Sequence, residues 1–315
     1  MTKNRKVLVT GGAGFIGSHL IPQLLSRRYS VTAMDNLSSG KIENLNEVQA
    51  DPRFQFVKGD ICDKQALRKA IHGVDAVVHL AALIDVTTSI VNPDLTHKVN
   101  VTGTLNVLQE AAAFKVTRFV FASSTAVYGD AKTLPITEDA AVNPISPYAA
   151  SKASAEVYCK AFAECYGLST VMLRFFNVYG PRNEKSSYSG VITKFLQQAA
   201  NDEVLTVYGD GKQTRDFINV GDVVEALILA LEAKELYGEV FNVCTGTPIS
   251  INNLVEAIHL ATGRDLHVAH APVRAGEIRF SYGDPSKASR KLKFNAKISL
   301  QKGLSSLLKS SKSSG

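Results

Sequence analysis

Tyr148 and Lys152 form a pair whose types and spacing suit acid–base chemistry. Ser146 is a good helix N-cap and Pro147 suits a first helical position, so a helix is predicted to begin there. On that helix the tyrosine and the lysine share one face, one turn apart. A free phenol has a pKa of about 10, but a neighbouring ammonium and the positive end of a helix dipole both favour the phenolate. The pair predicts a tyrosine tuned for proton transfer, and a plain surface contact is the alternative.

A glycine-rich turn near the N-terminus predicts a phosphate cradle. The sequence TGGAGFIG lies between an apolar strand-like run and a helical segment. Gly11, Gly14 and Gly17 permit the tight turn, close approach of the backbone to a pyrophosphate and close helix–strand packing. Asp35, at the end of the next strand, is positioned to accept hydrogen bonds from a ribose and to repel a 2′-phosphate. This pattern predicts NAD as the cofactor, and Lys41 close by keeps NADP as the alternative.

The elements that must position these residues alternate regularly. Short apolar runs, among them FQFVKGD, DAVVHLAA, RFVFASS and STVMLRFFNVYG, are separated by segments of helical period. This alternation predicts an α/β fold, a Rossmann-type doubly wound parallel sheet with helices on both faces. After about residue 180 the pattern loosens into a smaller C-terminal α/β substrate lobe, in which LTVYGDGKQTRDF is interpreted as an irregular hairpin.

The predicted boundaries separate an NAD-binding domain, residues 1–178, from a substrate-binding lobe, residues 179–309. Elements near 215–245, including the strand-like EVFNVCTG, are predicted to return to the first domain. Residues 310–315 belong to the low-complexity run KSSKSSG and are predicted to be disordered.

Composition narrows the class of protein. Of 315 residues, 45% are apolar and 20% charged, which is typical of a soluble globular protein. No apolar run is long enough to span a bilayer, and the N-terminus shows no signal-peptide pattern, so no membrane association and a cytoplasmic location are expected.

The net charge of +6 comes from basic residues that are dispersed, apart from a Lys/Arg-rich stretch beginning at Ser286. This dispersal favours an anionic small molecule over nucleic acid as a partner. The four cysteines lack CxxC pairing and a flanking histidine cluster, so no disulfide and no metal site is predicted.

Three motifs together resemble a known family: TGGAGFIG, SSTAVYG and YAASK. The chain is similar to the extended short-chain dehydrogenases/reductases and, within them, to the nucleotide-sugar 4-epimerases such as UDP-galactose 4-epimerase. The resemblance extends over nearly the whole chain, through HLAA, NVTGT, LRFFNVYGPRN, TRDFINV and RAGEIR. It implies an NAD-dependent isomerase of carbohydrate metabolism. Such an enzyme interconverts UDP-glucose and UDP-galactose, or UDP-N-acetylglucosamine and UDP-N-acetylgalactosamine, through a 4-keto sugar.

The resemblance also implies residue roles. Tyr148 is the acid/base group, Lys152 holds the nicotinamide ribose and lowers the tyrosine pKa, and Ser124 rather than Ser123 orients the sugar. The predicted cofactor site comprises Gly11, Gly14, Phe15, Ile16, Gly17, Asp35, Asn36, Asp60, Ile61, Leu80, Ala81, Tyr148 and Lys152. The predicted substrate site comprises Ser124, Asn177, Arg215, Arg274 and Arg279.

Several of these residues have simpler alternatives. Asp60 suits an adenine amino group and equally a turn, and each arginine suits a diphosphate or a surface ion pair. His79 matches a structural position, and Asn100 matches an asparagine that supports the active-site backbone. Ser281 matches the position beside the 2-substituent of the sugar, where a small residue leaves room for an N-acetyl group.

Two positions favour epimerisation over elimination. Related 4,6-dehydratases carry an Asp–Glu pair directly after the catalytic hydroxyl residue, where this chain has Thr125 and Ala126. Glucuronate decarboxylases usually carry a glutamate at the second of these positions. Neither threonine nor alanine titrates near neutral pH. A UDP-glucuronate epimerase, a sugar-nucleotide dehydrogenase/reductase and a non-catalytic NAD-binding scaffold or sensor stay open as alternatives.

An oligomer is implied by resemblance alone. The helix that follows Ser146 and the segment NVTGTLNVLQEAAA are similar to the helices that form a four-helix dimer interface in this family. A homodimer is therefore expected.

Overall fold

A seven-stranded parallel sheet forms the centre of the protein. The computed structural model describes residues 5–183, 190–273 and 278–312. The strands of this sheet are β1 (Lys6–Thr10), β2 (Ser30–Asp35), β3 (Phe54–Lys58), β4 (Ala76–His79), β5 (Arg118–Ser124), β6 (Ser169–Phe175) and β11 (Glu239–Val243). They lie in the order β3–β2–β1–β4–β5–β6–β11, and neighbouring strands run parallel. The predicted Rossmann-type sheet is confirmed.

Helices cover both faces of this sheet. The α-helices of the described residues are α1 (Phe15–Ser26), α2 (Lys64–Ile71), α3 (Val86–Val91), α4 (Pro93–His97), α5 (Thr104–Ala113), α6 (Pro147–Tyr166), α7 (Val191–Ala200), α8 (Val220–Glu232), α9 (Ile251–Thr262), α10 (Ser286–Leu292) and α11 (Leu300–Lys312). Of these, α7, α9 and α11 pack in the core of the smaller lobe. Leu24 of α1 and Leu227 of α8 belong to the buried core on one face, and Leu108 of α5 and Phe162 of α6 belong to the core on the other. Because both faces are covered, the central strands can be apolar throughout.

The smaller lobe contains three two-stranded sheets. They pair β7 (Asn177–Tyr179) with β10 (Phe217–Asn219), β8 (Leu205–Tyr208) with β13 (Val268–Ala271), and β9 (Thr214–Arg215) with β12 (Ile249–Ser250). The predicted hairpin over LTVYGDGKQTRDF is therefore wrong, because β8 and β9 pair with different partners. Gly209 and Gly211, with φ of +68° and +70°, turn the chain between these strands.

Two later elements return to the dinucleotide-binding layer. Helix α8 packs against α1, and β11 pairs with β6 at the edge of the main sheet. The predicted run STVMLRFFNVYG divides into β6 and β7, with β7 leaving the main sheet to pair with β10. Helix α11 extends to Lys312, so residues 310–312 continue a helix where disorder was expected. Residues 313–315 lie outside the described residues.

Among the described residues, no helix combines the length and the apolar character needed to cross a membrane. All four cysteines are free: Cys159 and Cys244 are buried, Cys62 is half-buried and Cys165 is exposed.

Candidate active site

A cleft of about 2010 Å³ follows the carboxyl ends of the main strands and continues into the smaller lobe. In an open parallel sheet this edge is where ligands bind. Every residue of the predicted cofactor site lines the cleft, as do Ser124, Asn177 and Arg215 of the predicted substrate site. The structure therefore brings residues from opposite ends of the sequence into one site.

The glycine turn forms one end of the cleft, where space is limited by backbone atoms. Gly11 has φ +69°, and a methyl group on its Cα would lie 2.8 Å from the amide nitrogen of Ala81. On Gly17 it would lie 2.4 Å from the carbonyl oxygen of Gly11. Helix α1 begins at Phe15 with Gly14 as its N-cap and has no acidic residue in its first turn. Its N-terminal amides and dipole are thus available to an anion such as a pyrophosphate.

Two carboxylates follow β2 and β3 along the same edge. Asp35 accepts hydrogen bonds from the backbone of Ala13 (3.0 Å) and Leu37 (2.8 Å), and burial raises its pKa against these bonds. Asp60 accepts from the backbone of Cys62 and the side chain of Asn36, both at 2.8 Å. Although burial raises the pKa of Asp60, these bonds lower it overall. Asp60 is therefore a turn residue that also lines the cleft.

Tyr148 enters the cleft from the first turn of α6. The Ser146 hydroxyl caps this helix by accepting from the backbone amide of Ala149 (3.1 Å), as predicted, and Pro147 is the first helical residue. Burial raises the pKa of the Tyr148 phenol, whereas the nearby Ser124 hydroxyl acts to lower it. Tyrosine and serine thus face each other where β5 ends.

Lys152 contacts the backbone and an aromatic ring of β5. Its ammonium donates to the carbonyl oxygen of Ala122 (2.9 Å) and lies 4.9 Å from the centre of the Phe121 ring. Burial lowers the lysine pKa to about 8. Burial has the largest influence on the Tyr148 pKa and raises it. The lowering of this pKa by Lys152 stays a prediction.

Ser123 points away from the phenol into a buried ion pair. Its hydroxyl donates to Glu156 (2.5 Å), and the same carboxylate accepts two hydrogen bonds from Arg174, at 2.9 and 2.7 Å. Sequence reasoning missed this network. The available signal was Arg174 itself, since a charged residue inside an apolar strand requires a buried partner.

Asn100 connects the loop after β4 to the catalytic helix. Its side chain accepts from the amide and donates to the carbonyl of Leu83, both at 2.8 Å, and it donates to Ser151 of α6 (2.9 Å). The Ser151 hydroxyl donates in turn to the carbonyl oxygen of Tyr148 (2.7 Å). Asn100 thus supports the backbone on both sides of the cleft, as the sequence predicted.

His79 has a structural environment. Its ring nitrogens bond to the hydroxyls of Thr10 (2.6 Å) and Thr104 (3.0 Å), and the Thr104 hydroxyl donates to the carbonyl of Asn100 (2.6 Å). Nε2 therefore carries the proton and Nδ1 accepts. Burial lowers the His79 pKa to about 3, so the ring stays neutral.

The substrate end of the cleft differs in part from the prediction. Asn177 and Arg215 line it, as does the buried Ser281. Arg279 is not among the described residues of the lining: its side chain is 61% exposed and pairs with Asp210 at 2.9 Å, which is the surface ion pair weighed as its alternative. Arg274 lies outside the described residues.

A parallel sheet with a glycine turn after β1, and a Tyr–Lys helix beside the end of β5, is the arrangement of the extended short-chain dehydrogenases/reductases. The GDP-mannose 4,6 dehydratase family matches residues 8–307. The chain belongs to this family, which lies within that class.

Several relatives within this class are epimerases by name, and others are named as a decarboxylase or a dehydratase. A putative UDP-glucose 4-epimerase of Methanocaldococcus jannaschii is 39% identical over 300 residues, 95% of either chain. The structure of a UDP-N-acetylglucosamine 4-epimerase from Methanobrevibacter ruminantium, in complex with UDP-N-acetylmuramic acid, superposes with a TM-score of 0.94 at 39% identity, covering all of both chains. That of a UDP-glucuronic acid 4-epimerase from Bacillus cereus, in complex with UDP-glucuronic acid and NAD, has a TM-score of 0.91 at 32% identity, covering 98% of this chain and 100% of the other.

Proposed function

We propose that this protein is an NAD-dependent 4-epimerase of UDP-sugars. The observation that carries the proposal is the pairing of Tyr148 with Ser124 inside the cleft that begins at the glycine turn. The two positions that follow Ser124 hold Thr125 and Ala126, neither of which can supply the second proton transfer of an elimination. The relatives named above support UDP-sugars as the substrate class.

The residues at the glycine turn fit NAD. At Gly11 and Gly17 the turn has no room for a side chain, so its backbone can lie close to a pyrophosphate. The N-terminus of the adjoining helix favours negative charge. Asp35 lines the cleft at the end of β2, where its oxygens can accept from ribose hydroxyls and would repel a 2′-phosphate. Lys152 uses one ammonium hydrogen on Ala122, which leaves two for the nicotinamide ribose.

In the proposed reaction, Tyr148 accepts the proton of the sugar 4-hydroxyl as the 4-keto sugar forms, and later returns it to the 4-oxygen when carbon 4 is reduced from its other face. Bound nicotinamide supplies the hydride acceptor and, afterwards, the donor at carbon 4. Ser124 orients the 4-oxygen and stabilises the phenolate of Tyr148 by hydrogen bonding. Because burial raises the Tyr148 pKa, the phenolate needs positive charge beyond this hydrogen bond, and an oxidised nicotinamide ring carries such a charge.

The proposed substrates are UDP-glucose and UDP-galactose. UDP-N-acetylglucosamine and UDP-N-acetylgalactosamine are proposed to be accepted as well. Ser281 supports the wider range, because its small side chain lines the substrate end of the cleft. The B. cereus neighbour makes UDP-glucuronate the second candidate.

A panel of UDP-sugars tests the function and the preference together. Purified protein is incubated with UDP-galactose, UDP-N-acetylglucosamine or UDP-glucuronate, and the sugars are separated and identified. Interconversion at carbon 4 without accumulation of NADH supports the proposal. NADH that accumulates in proportion to substrate identifies a dehydrogenase, and binding of NAD with no turnover of any sugar identifies a scaffold.

Replacement of Ser124 by alanine is expected to shift the pH dependence of turnover. The hydroxyl lowers the pKa of Tyr148, so its loss raises that pKa, and the rising acidic limb of the kcat/KM profile moves to higher pH. Loss of a hydrogen bond to a charged group predicts a fall in kcat/KM of about 10- to 100-fold. Measurement of kcat/KM across the pH range gives both quantities.

Ser123→Ala is the matched control for this shift. Its hydroxyl belongs to the Glu156 ion pair, so the variant is expected to melt at a lower temperature with the acidic limb unmoved. An equal shift of the limb in both variants would assign the effect to strand β5 as a whole and remove Ser124 from the proposed proton transfer.

A homodimer is part of the proposal. The implied interface lies on α6 and on the segment that contains α5; these two helices are in contact, and Val157 of α6 is 67% exposed. Apolar surface of this kind is typical of an interface. Sedimentation at several concentrations is expected to give twice the mass of the chain for the wild-type protein. The Val157→Asp variant is expected to sediment with the mass of a single chain. A wild-type protein that sediments as a monomer throughout would remove the dimer from the proposal.

A further inference from the structure

Asp216 is a buried carboxylate at the junction of three segments. It lies between β9 and β10, and its side chain is 0% exposed. Oδ1 accepts from the amide (2.8 Å) and the hydroxyl (2.7 Å) of Thr245, and Oδ2 accepts from the amides of Gly246 (2.9 Å) and Gly283 (3.4 Å). All four donors are uncharged. A charged group without a countercharge is costly to bury, so the buried carboxylate needs this full set of hydrogen bonds to stay ionised.

The segments that Asp216 joins form the wall at the substrate end of the cleft. The backbone carbonyl of Asp216 accepts from the amide of Asn177 (2.9 Å), and the preceding residue, Arg215, lines the cleft. The carbonyl of Thr214 accepts from the amide of Ser281 (3.2 Å), two residues before Gly283. Asp216 is thus close to three residues of the cleft wall. It hydrogen-bonds to the backbone of Asn177, it follows Arg215 in the chain, and its partner Gly283 lies two residues after Ser281.

Asp216 also links this wall to the dinucleotide-binding sheet. Thr245 and Gly246 lie two and three residues after the end of β11, the edge strand that pairs with β6. The carboxylate therefore holds the wall of the lobe at a defined distance from the sheet that carries the cofactor end. The glycine turn lies at the other end of the cleft and makes no hydrogen bond with Asp216 among the described residues.

We propose that Asp216 is a positioning residue for the nucleotide-sugar: its four hydrogen bonds set Asn177, Arg215 and Ser281 where they contact the uridine diphosphate and the sugar. This inference rests on the proposed function. It assigns Asp216 to substrate affinity and gives it no part in the proton transfer or in binding of the dinucleotide.

Asp216→Asn tests the inference in the purified full-length protein with its bound nucleotide. An amide keeps the shape but puts an NH2 group against N–H donors, so at least one buried backbone amide loses its acceptor. The KM for the UDP-sugar and the Kd for UDP are expected to rise about tenfold or more. We expect kcat to stay within about twofold and the nucleotide content of the protein to be unchanged, since Tyr148 and the glycine turn are not among the contacts of Asp216.

Asp222→Asn is the matched control. Asp222 is also buried and accepts backbone hydrogen bonds from Lys297 (3.0 Å) and Ile298 (3.1 Å), and it is not among the described residues of the cleft lining. Its replacement is expected to lower the melting temperature and leave KM and UDP affinity unchanged. Thr245→Val is a second test, to be used if Asp216→Asn fails to fold. It removes the hydroxyl donor and keeps the carboxylate, and it is expected to raise the KM for the UDP-sugar about two- to threefold.

The outcomes separate the inference from the function on which it rests. UDP binding of wild-type strength in Asp216→Asn, equal losses of UDP affinity in the two Asn variants, or loss of the bound dinucleotide in Asp216→Asn would each overturn the inference. If Asp216→Asn does not fold, an unchanged KM in Thr245→Val does the same. Failure of the wild-type protein to bind UDP or any UDP-sugar would instead overturn the proposed function, and the inference with it.

Discussion

A Tyr148→Phe variant is expected to lose turnover by about 10²- to 10⁴-fold while it keeps its bound NAD and its affinity for UDP. The change removes one oxygen and leaves the buried ring, so the packing around the first turn of α6 is retained. Among the described residues, neither the lysine nor the histidine near this end of the cleft is placed to take over the proton. Lys152 donates to Ala122, and His79 stays neutral between two threonine hydroxyls. The measurement is kcat by separation of the UDP-sugars, with released nucleotide and UDP affinity measured on the same preparation.

Tyr158→Phe is the matched control for this prediction. Tyr158 lies on the same helix but is 39% exposed on its outer face, so its phenol is expected to contribute nothing to turnover. Turnover that stays within a few-fold of wild type in Tyr148→Phe would contradict the role given to this phenol and, with it, the proposed mechanism.

The second large effect is expected for Gly11→Ala, which should bind NAD at least about 100-fold more weakly, equivalent to about 2.7 kcal/mol. The added methyl group meets backbone atoms of Leu80 and Ala81 at 2.8 to 3.0 Å, and backbone cannot move aside as a flexible side chain can. Relief requires displacement of the turn that faces the pyrophosphate. The nucleotide released from denatured, desalted protein measures the loss, since the chain contains no tryptophan to report binding.

Gly167→Ala separates backbone strain from the clash. Gly167 has φ +66°, close to the +69° of Gly11, and a methyl group there would meet nothing within 4 Å. It ends α6 as its C-cap, so the variant is expected to lose about 1–2 kcal/mol of stability and to keep its NAD affinity. If both variants lose NAD equally, the strain is responsible and the assignment of Gly11 to the cradle is wrong.

The fold and the cofactor end of the site could be predicted because their signals are local. The turn at Gly11, the cap at Ser146 and the apolar strands each depend on a few neighbouring residues, and parallel strands that alternate with helices bring their carboxyl ends to one edge. Tyr148 and Ser124 lie 24 positions apart in the sequence, and the family motifs that contain them predicted their meeting.

The tertiary structure alone decided what depends on contacts between distant segments. The hairpin failed because β8 and β9 hydrogen-bond to strands far along the chain, a choice that local turn chemistry does not specify. Arg279 pairs with Asp210 and Ser123 with Glu156, since a long or polar side chain takes whichever partner the fold brings within reach. Asp216 is set by donors 29 to 67 residues away. Burial, which only the packed protein defines, also raises the Tyr148 pKa.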